Sequence, residues 1–132
     1  MAEHPNVALV RRALQAMNEM DMSRAEQEMA IVDEFMADDI VWHEIGRAEP
    51  RRGKAELRAA MGEGPSDLTI RYDVHDIVAN DEHAIALGTA TATRSGRTLE
   101  YRTAEIFHIR DGRATERWAF SDDTAAIVEF FA

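Results

Sequence analysis

At 132 residues, 45% of them apolar and 30% charged, the chain has the length of one domain and enough material for a single core. It contains no cysteine, which excludes disulfides, thiolate nucleophiles and cysteine-ligated zinc together. A formal net charge of −10 argues against nucleic acid as a partner, because the phosphate backbone would be repelled.

No window reaches the ~18 consecutive apolar residues of a membrane span, so no membrane partner is expected. The start, MAEHPNVALV, lacks the basic lead and apolar stretch of a secretory leader, and a cytoplasmic location is the expectation. No repeat, low-complexity tract or linker interrupts the chain, so residues 1–132 read as a single domain.

Val7, Val10, Leu14 and Met17 recur at steps of three and four, which predicts a helix from Asn6 to Asn18 with Asn6 as its N-cap. Ser23 with Glu26 fits a capping box for a second helix. Its buried stripe is Ala25, Met29, Val32 and Met36, widened by Ile31 and Phe35. Asp38-Asp39 should end it and open a short strand, Ile40 to Glu44. The loop GRAEPRRG leads to a third short helix, Lys54 to Met61, closed by Gly62, and EGPSD reads as a turn.

From Leu68 to Phe120 the period becomes two, and strands are predicted over 68–79, 82–94, 97–110 and 113–121. Ser95-Gly96 and Asp111-Gly112 are hairpin turns of the kind that needs positive φ. A last helix fits Asp123 to Phe131, with aspartates at its positive end. The order α-α-β-α-β-β-β-β-α is an α+β domain, a curved antiparallel sheet with helices on one face.

If both turns have two residues, strict alternation puts Leu99, Tyr101, Thr103, Glu105, Phe107, Ile109, Glu116, Trp118 and Phe120 on one face. Beside them runs a small-residue column, Ala84, Ala86, Gly88, Ala90 and Ala92. Either helix side chains fill that volume or it remains a pocket. Glu105, mid-strand among apolar neighbours, is a carboxyl that needs a partner or a raised pKa. On the opposite face Ile85, Leu87, Ala104 and Ile106 form an apolar patch that a second copy could cover, so a homodimer is expected.

In VWHEIG, residues 41–46, Trp42 and His43 point to opposite sides of a strand. His43 can shuttle a proton near neutral pH, or it can be a structural histidine bonded to the backbone. His75 with Asp73 and Asp76, and His83 with Asp81 and Glu82, lack metal-ligand spacing, so no metal is expected. Arg47, Arg51 and Arg52 could guide an acidic ligand or simply be a solvated loop. No phosphate-binding loop, nucleophile elbow or dinucleotide fingerprint occurs, and no cofactor is expected.

MADDIVWHEIG, RGKAELRAAM, DIVANDEHAIAL and IFHIRDGRATERWAF, in this order, resemble the nuclear-transport-factor-2-like superfamily in its SnoaL-like and ketosteroid-isomerase-like branch. The resemblance implies a cone: a bent sheet around helices, a deep and mostly apolar cavity, and dimers through the outer sheet face. It places the isomerase's catalytic base at His43, where the family has Asp, and the oxyanion-binding acid at Glu105. The family's first-helix Tyr falls near Ala13 or Leu14, which carry no donor.

The expected function is therefore a small-molecule pocket protein. His43 and Glu105 would transfer a proton on an apolar or polycyclic substrate, by isomerisation, cyclisation, dehydration or epoxide opening. Trp42, Tyr101, Thr103, Phe107, Trp118 and Phe120 would line the pocket. The alternative is a ligand-binding or dimerisation module without catalysis.

Overall fold

The computed structural model describes residues 3–18, 25–62 and 67–132. The Ser23–Glu26 capping box and most of the EGPSD turn lie outside them. The elements are α1 (Pro5–Asn18), α2 (Ala25–Phe35), β1 (Met36–Trp42), β2 (Arg51–Arg52), α3 (Lys54–Gly62), β3 (Thr69–Ala79), β4 (His83–Arg94), β5 (Arg97–Arg110), β6 (Arg113–Ser121) and α4 (Thr124–Phe131).

The α+β order stands, with one addition. Arg51-Arg52 of the Arg-rich loop pairs with Trp42 and Val41 as an edge strand. The six-stranded sheet has the order β2-β1-β6-β5-β4-β3; β1 runs parallel to β6, and the other neighbours are antiparallel.

α1 begins one residue earlier than its pattern suggests, because Pro5 suits a first helical turn that needs no donor from it. The ring Nδ1 of His4 accepts the Asn6 N–H at 3.1 Å, a capping role. The Asn6 side chain instead donates to the Asn80 and Asp81 carbonyls. α2 ends at Phe35, and Met36 already belongs to β1, earlier than the Asp38-Asp39 signal implies.

α1 and α2 pack across the concave face of the sheet. Val10, Leu14, Val32 and Phe35 meet Ile40, Ala84, Ala86, Phe107 and Ile109 in one core. α4 starts at Asp123, whose side chain accepts the Ala126 N–H at 3.0 Å. A Cβ on Gly46 would fall 2.5 Å from Val128 of α4, so only glycine admits the helix this close to the turn after β1. Among the described residues no helix is long and apolar enough to cross a membrane.

Ser95 and Gly96 have φ of 52° and 75°, and Asp111 and Gly112 have 53° and 76°, the mirror-image turns that match strand twist. β4 and β5 pair in the expected register, with Ala90 opposite Tyr101, Gly88 opposite Thr103 and Ala86 opposite Glu105. β5 and β6 do not. Ile109 faces Ala114, but the next pair is His108 with Glu116, so Thr115 is an extra residue in β6.

Beyond this bulge every side chain of β6 changes face. Arg117 and Ala119 turn inward, while Glu116, Trp118 and Phe120 turn outward. This corrects the inward placement of Trp118 and Phe120; Phe120 is 57% exposed.

Candidate functional site

Tyr101, Thr103 and Glu105 project from alternate positions of β5 toward the helices. Their neighbours on β4 are small, and part of the volume this leaves is filled from β3. A Cβ on Gly88 would lie 2.5 Å from the Asp73 carbonyl oxygen and 2.8 Å from the Tyr72 ring. The glycine thus admits Tyr72, whose hydroxyl donates to the Ala86 carbonyl at 3.1 Å and lies 3.4 Å from that of Thr103. The remaining volume is a cavity of about 410 Å³. Leu14, Met17, Val32, Met36, Trp42 and Leu57 supply much of its apolar wall. The small-residue column therefore leaves a pocket in part, and what occupies the volume beside Gly88 is Tyr72 from a neighbouring strand rather than a helix side chain.

At the inner end stands an ion pair. An Arg117 amino group donates to Glu105 Oε1, and the other donates to the His43 carbonyl at 2.9 Å. The guanidinium lies 4.3 Å over the Trp42 ring, a cation–π contact. Arg117 is only 9% exposed. Glu105 Oε2, Arg117 Nε and Thr103 Oγ1 are shielded from solvent and have no hydrogen-bond partner among the described residues. Polar atoms left this way cost about 1–3 kcal/mol each, and all three belong to residues that line the cavity.

The two tyrosines nearby keep their protons. Burial raises the Tyr72 hydroxyl far above its ordinary 10.0, and the Glu105 charge adds to the effect. The same two causes raise Tyr101, whose hydroxyl makes no hydrogen bond among the described residues. Tyr72 binds its proton more tightly folded than unfolded, so its contribution to stability is complete below about pH 10 and is lost as pH rises further. Alkaline unfolding should therefore steepen above that pH, and Tyr72→Phe should flatten the slope, as circular dichroism across a pH series would measure.

His43 is not part of this site. Its ring Nε2 is 2.8 Å from Glu116 Oε2, and the ring stacks on Trp118 at 5.0 Å and 5° on the outer face. His108 packs against the same indole at 4.6 Å, and His83 meets His108 at 4.6 Å. The expected His43–Glu105 pair is not formed, because His43 lies beyond the end of β1 and faces outward with Glu116. Only its backbone carbonyl reaches the site, through Arg117.

Of the expected lining residues, Trp42, Tyr101 and Thr103 border the cavity. Phe107 belongs to the core, edge-on to Phe35 at 5.4 Å, and Trp118 and Phe120 are on the far side of the sheet. Ala13 is buried in α1, and Leu14 presents an alkyl wall where the family places a tyrosine.

Sequence reasoning misses Arg117 and Tyr72. Charge was the available signal for Arg117: strict alternation puts Glu116 on the face of Glu105, whereas a slip of one residue puts an arginine there. Arg51 pairs with Glu44 at 2.6 Å, and Arg47 donates to the Glu49 carbonyl. Among the described residues no group of three or more metal-ligating side chains is placed to hold an ion.

The uncharacterized protein Rv0034 of Mycobacterium tuberculosis is 29% identical over 100% of both chains. Bal32a, from a soil-derived mobile gene cassette, superposes with a TM-score of 0.81 at 23% identity, over 96% of each chain. An LEH-like epoxide hydrolase of M. tuberculosis superposes with a TM-score of 0.69 at 19% identity, over 89% of this chain and 86% of that one. The SnoaL-like domain model matches residues 10–117, spanning α1 from Val10 to the arginine that holds Glu105, and the chain belongs to this family, within the nuclear-transport-factor-2-like superfamily.

Proposed function

We propose that the cavity binds a small, largely apolar molecule carrying a carbonyl-type group, and that Glu105 moves a proton on it. The supporting observation is the carboxylate itself: Oε1 is held by Arg117, while Oε2 lies shielded and without a partner beside the cavity. A base fixed by one oxygen and unengaged at the other is suited to taking a proton from carbon next to a carbonyl. The electron pair of the broken C–H bond moves onto the carbonyl oxygen, and Tyr101, which keeps its proton, is the nearby donor for that oxygen. Returning the proton to the same or another carbon completes an exchange or an isomerisation. Epoxide opening, the reaction named for one structural neighbour, would need the same carboxylate to activate water.

The test uses tetralone in heavy water. The parent should accelerate exchange of the protons next to the carbonyl, and Glu105→Gln should lose about 100-fold or more of that rate. Binding without exchange would favour the second reading, a ligand-binding module. That reading draws on two observations: no donor at Ala13 or Leu14, and a His43 ring turned to the outer face.

We further propose that the outer sheet face pairs with a second copy of the chain. Ile85, Leu87, Ala104 and Ile106 lie there, all partly exposed, and the bulge adds Trp118 and Phe120 to the same face. Ile106→Glu would bury a charge without a partner and should convert a dimer to a monomer in sedimentation at micromolar concentration. A parent that already sediments as a monomer would remove the dimer proposal.

A further inference from the structure

We infer that the cavity selects an uncharged ligand whose polar end sets a hydrogen-bond donor beside an acceptor, and that it refuses acids and amines because the charges of its wall are already matched. This rests on the reading of the cavity as a ligand site.

Six charged side chains lie along the wall: Asp33, Glu44, Lys54, Arg58, Glu105 and Arg117. Each has an ionic partner. Asp33 is held by Arg58 and, at 3.5 Å, by Lys54, which also reaches Asp38 at 3.3 Å. Glu44 accepts from Arg51 at 2.6 Å, and Glu105 is bound to Arg117. A carboxylate entering the inner end would lie against Glu105 with the charge of Arg117 already answered. An ammonium would find the charge of every carboxylate of the wall already matched. Either would lose its hydration without gaining a counter-ion. The net charge of −10 adds a long-range field against anions.

The polar atoms left over are complementary in kind. Arg117 Nε–H and the Tyr101 hydroxyl can donate, Glu105 Oε2 can accept, and the Thr103 hydroxyl can do either. A hydroxyl next to a carbonyl answers both needs at once: its O–H donates to Glu105, and its carbonyl accepts from Tyr101 or Arg117. A hydrocarbon answers neither.

Three probes with one bicyclic body test this by isothermal titration calorimetry of the full chain at neutral pH: hydroxytetralone, tetralin carboxylate and aminotetralin. The hydroxy ketone should bind at least about tenfold more tightly than either charged probe. In Glu105→Gln, Arg117 loses its counter-charge, so the carboxylate should gain about tenfold relative to the hydroxy ketone. Equal or tighter binding of a charged probe by the parent overturns the inference, and so does an unchanged preference in a folded Glu105→Gln. The parent's three affinities decide the matter even where the variant does not fold. If none of the probes binds, the ligand-site reading falls and this inference with it; indiscriminate binding overturns the inference alone.

Discussion

Arg117→Leu should destabilise the domain by about 3–5 kcal/mol, because it strips the cation from a carboxylate that water barely reaches. The Glu105 side chain is 13% exposed and that of Arg117 11%, so neither can regain hydration without local opening. The same change removes the hydrogen bond to the His43 carbonyl and the guanidinium above Trp42, leaving the end of β1 with fewer ties to β6. The double variant Glu105→Leu with Arg117→Leu is the control. Replacing both charges by alkyl groups is often close to neutral, so the double variant should be more stable than Arg117→Leu alone. Urea unfolding of the three proteins measures this. If Arg117→Leu unfolds with the parent's midpoint, the pair does not hold the inner end of the cavity.

Phe107→Ala is the second large effect expected, at about 3–5 kcal/mol. The side chain is 0% exposed and meets Phe35 edge-on where helix and sheet come together. Total stability for a domain is typically about 5–15 kcal/mol, so this one truncation could use most of the margin. Trp118→Ala offers the contrast. Its indole is partly exposed on the outer face and stacks on His43, so its loss should leave the domain folded. An unbulged β6 would reverse the ranking, with the tryptophan the more damaging loss. Thermal melts of the two variants side by side therefore test the register as well as the core.

These contrasts show what sequence carried and what it did not. The register of β4 against β5 was legible because Ser95-Gly96 encodes it locally: two residues with positive φ permit one hairpin, and the pairing follows strand by strand. The start of the next hairpin was equally legible at Asp111-Gly112. The slip at Thr115 was not, because a bulge depends on what the strands meet further along. There Arg117 meets Glu105, and the Thr115 hydroxyl lies 3.4 Å from the His108 carbonyl.

Glu105 was found because a lone carboxylate among apolar alternates is conspicuous. Its partner was hidden by the same alternation that revealed it. Tyr72 was missed because its role depends on the absence of a side chain at Gly88, a residue on another strand. Strand alternation set Trp42 and His43 on opposite sides, so that only one could line the pocket, but it did not say which. The structure admits Trp42, where sequence reasoning favoured His43.

The bulge gives the hairpin a property that point substitutions do not reveal. Which side chain reaches the pocket depends on how many residues lie between the bulge and Arg117, as well as on what they are. An insertion between the bulge and Arg117 acts on the protein much as a shift of reading frame acts on a gene. Removing Thr115 would only erase the bulge and leave both faces as they are, whereas one residue inserted between Glu116 and Arg117 would set Arg117 opposite Ile106 on the outer face and bring Trp118 opposite Glu105, toward the cavity. Composition would change by one residue, yet the pocket would lose the cation beside Glu105 and the outer surface would gain a charge. In lineages descended from such a chain, substitutions could tune the ligand gradually, while one residue inserted before Arg117 in this hairpin would exchange the two faces in a single step.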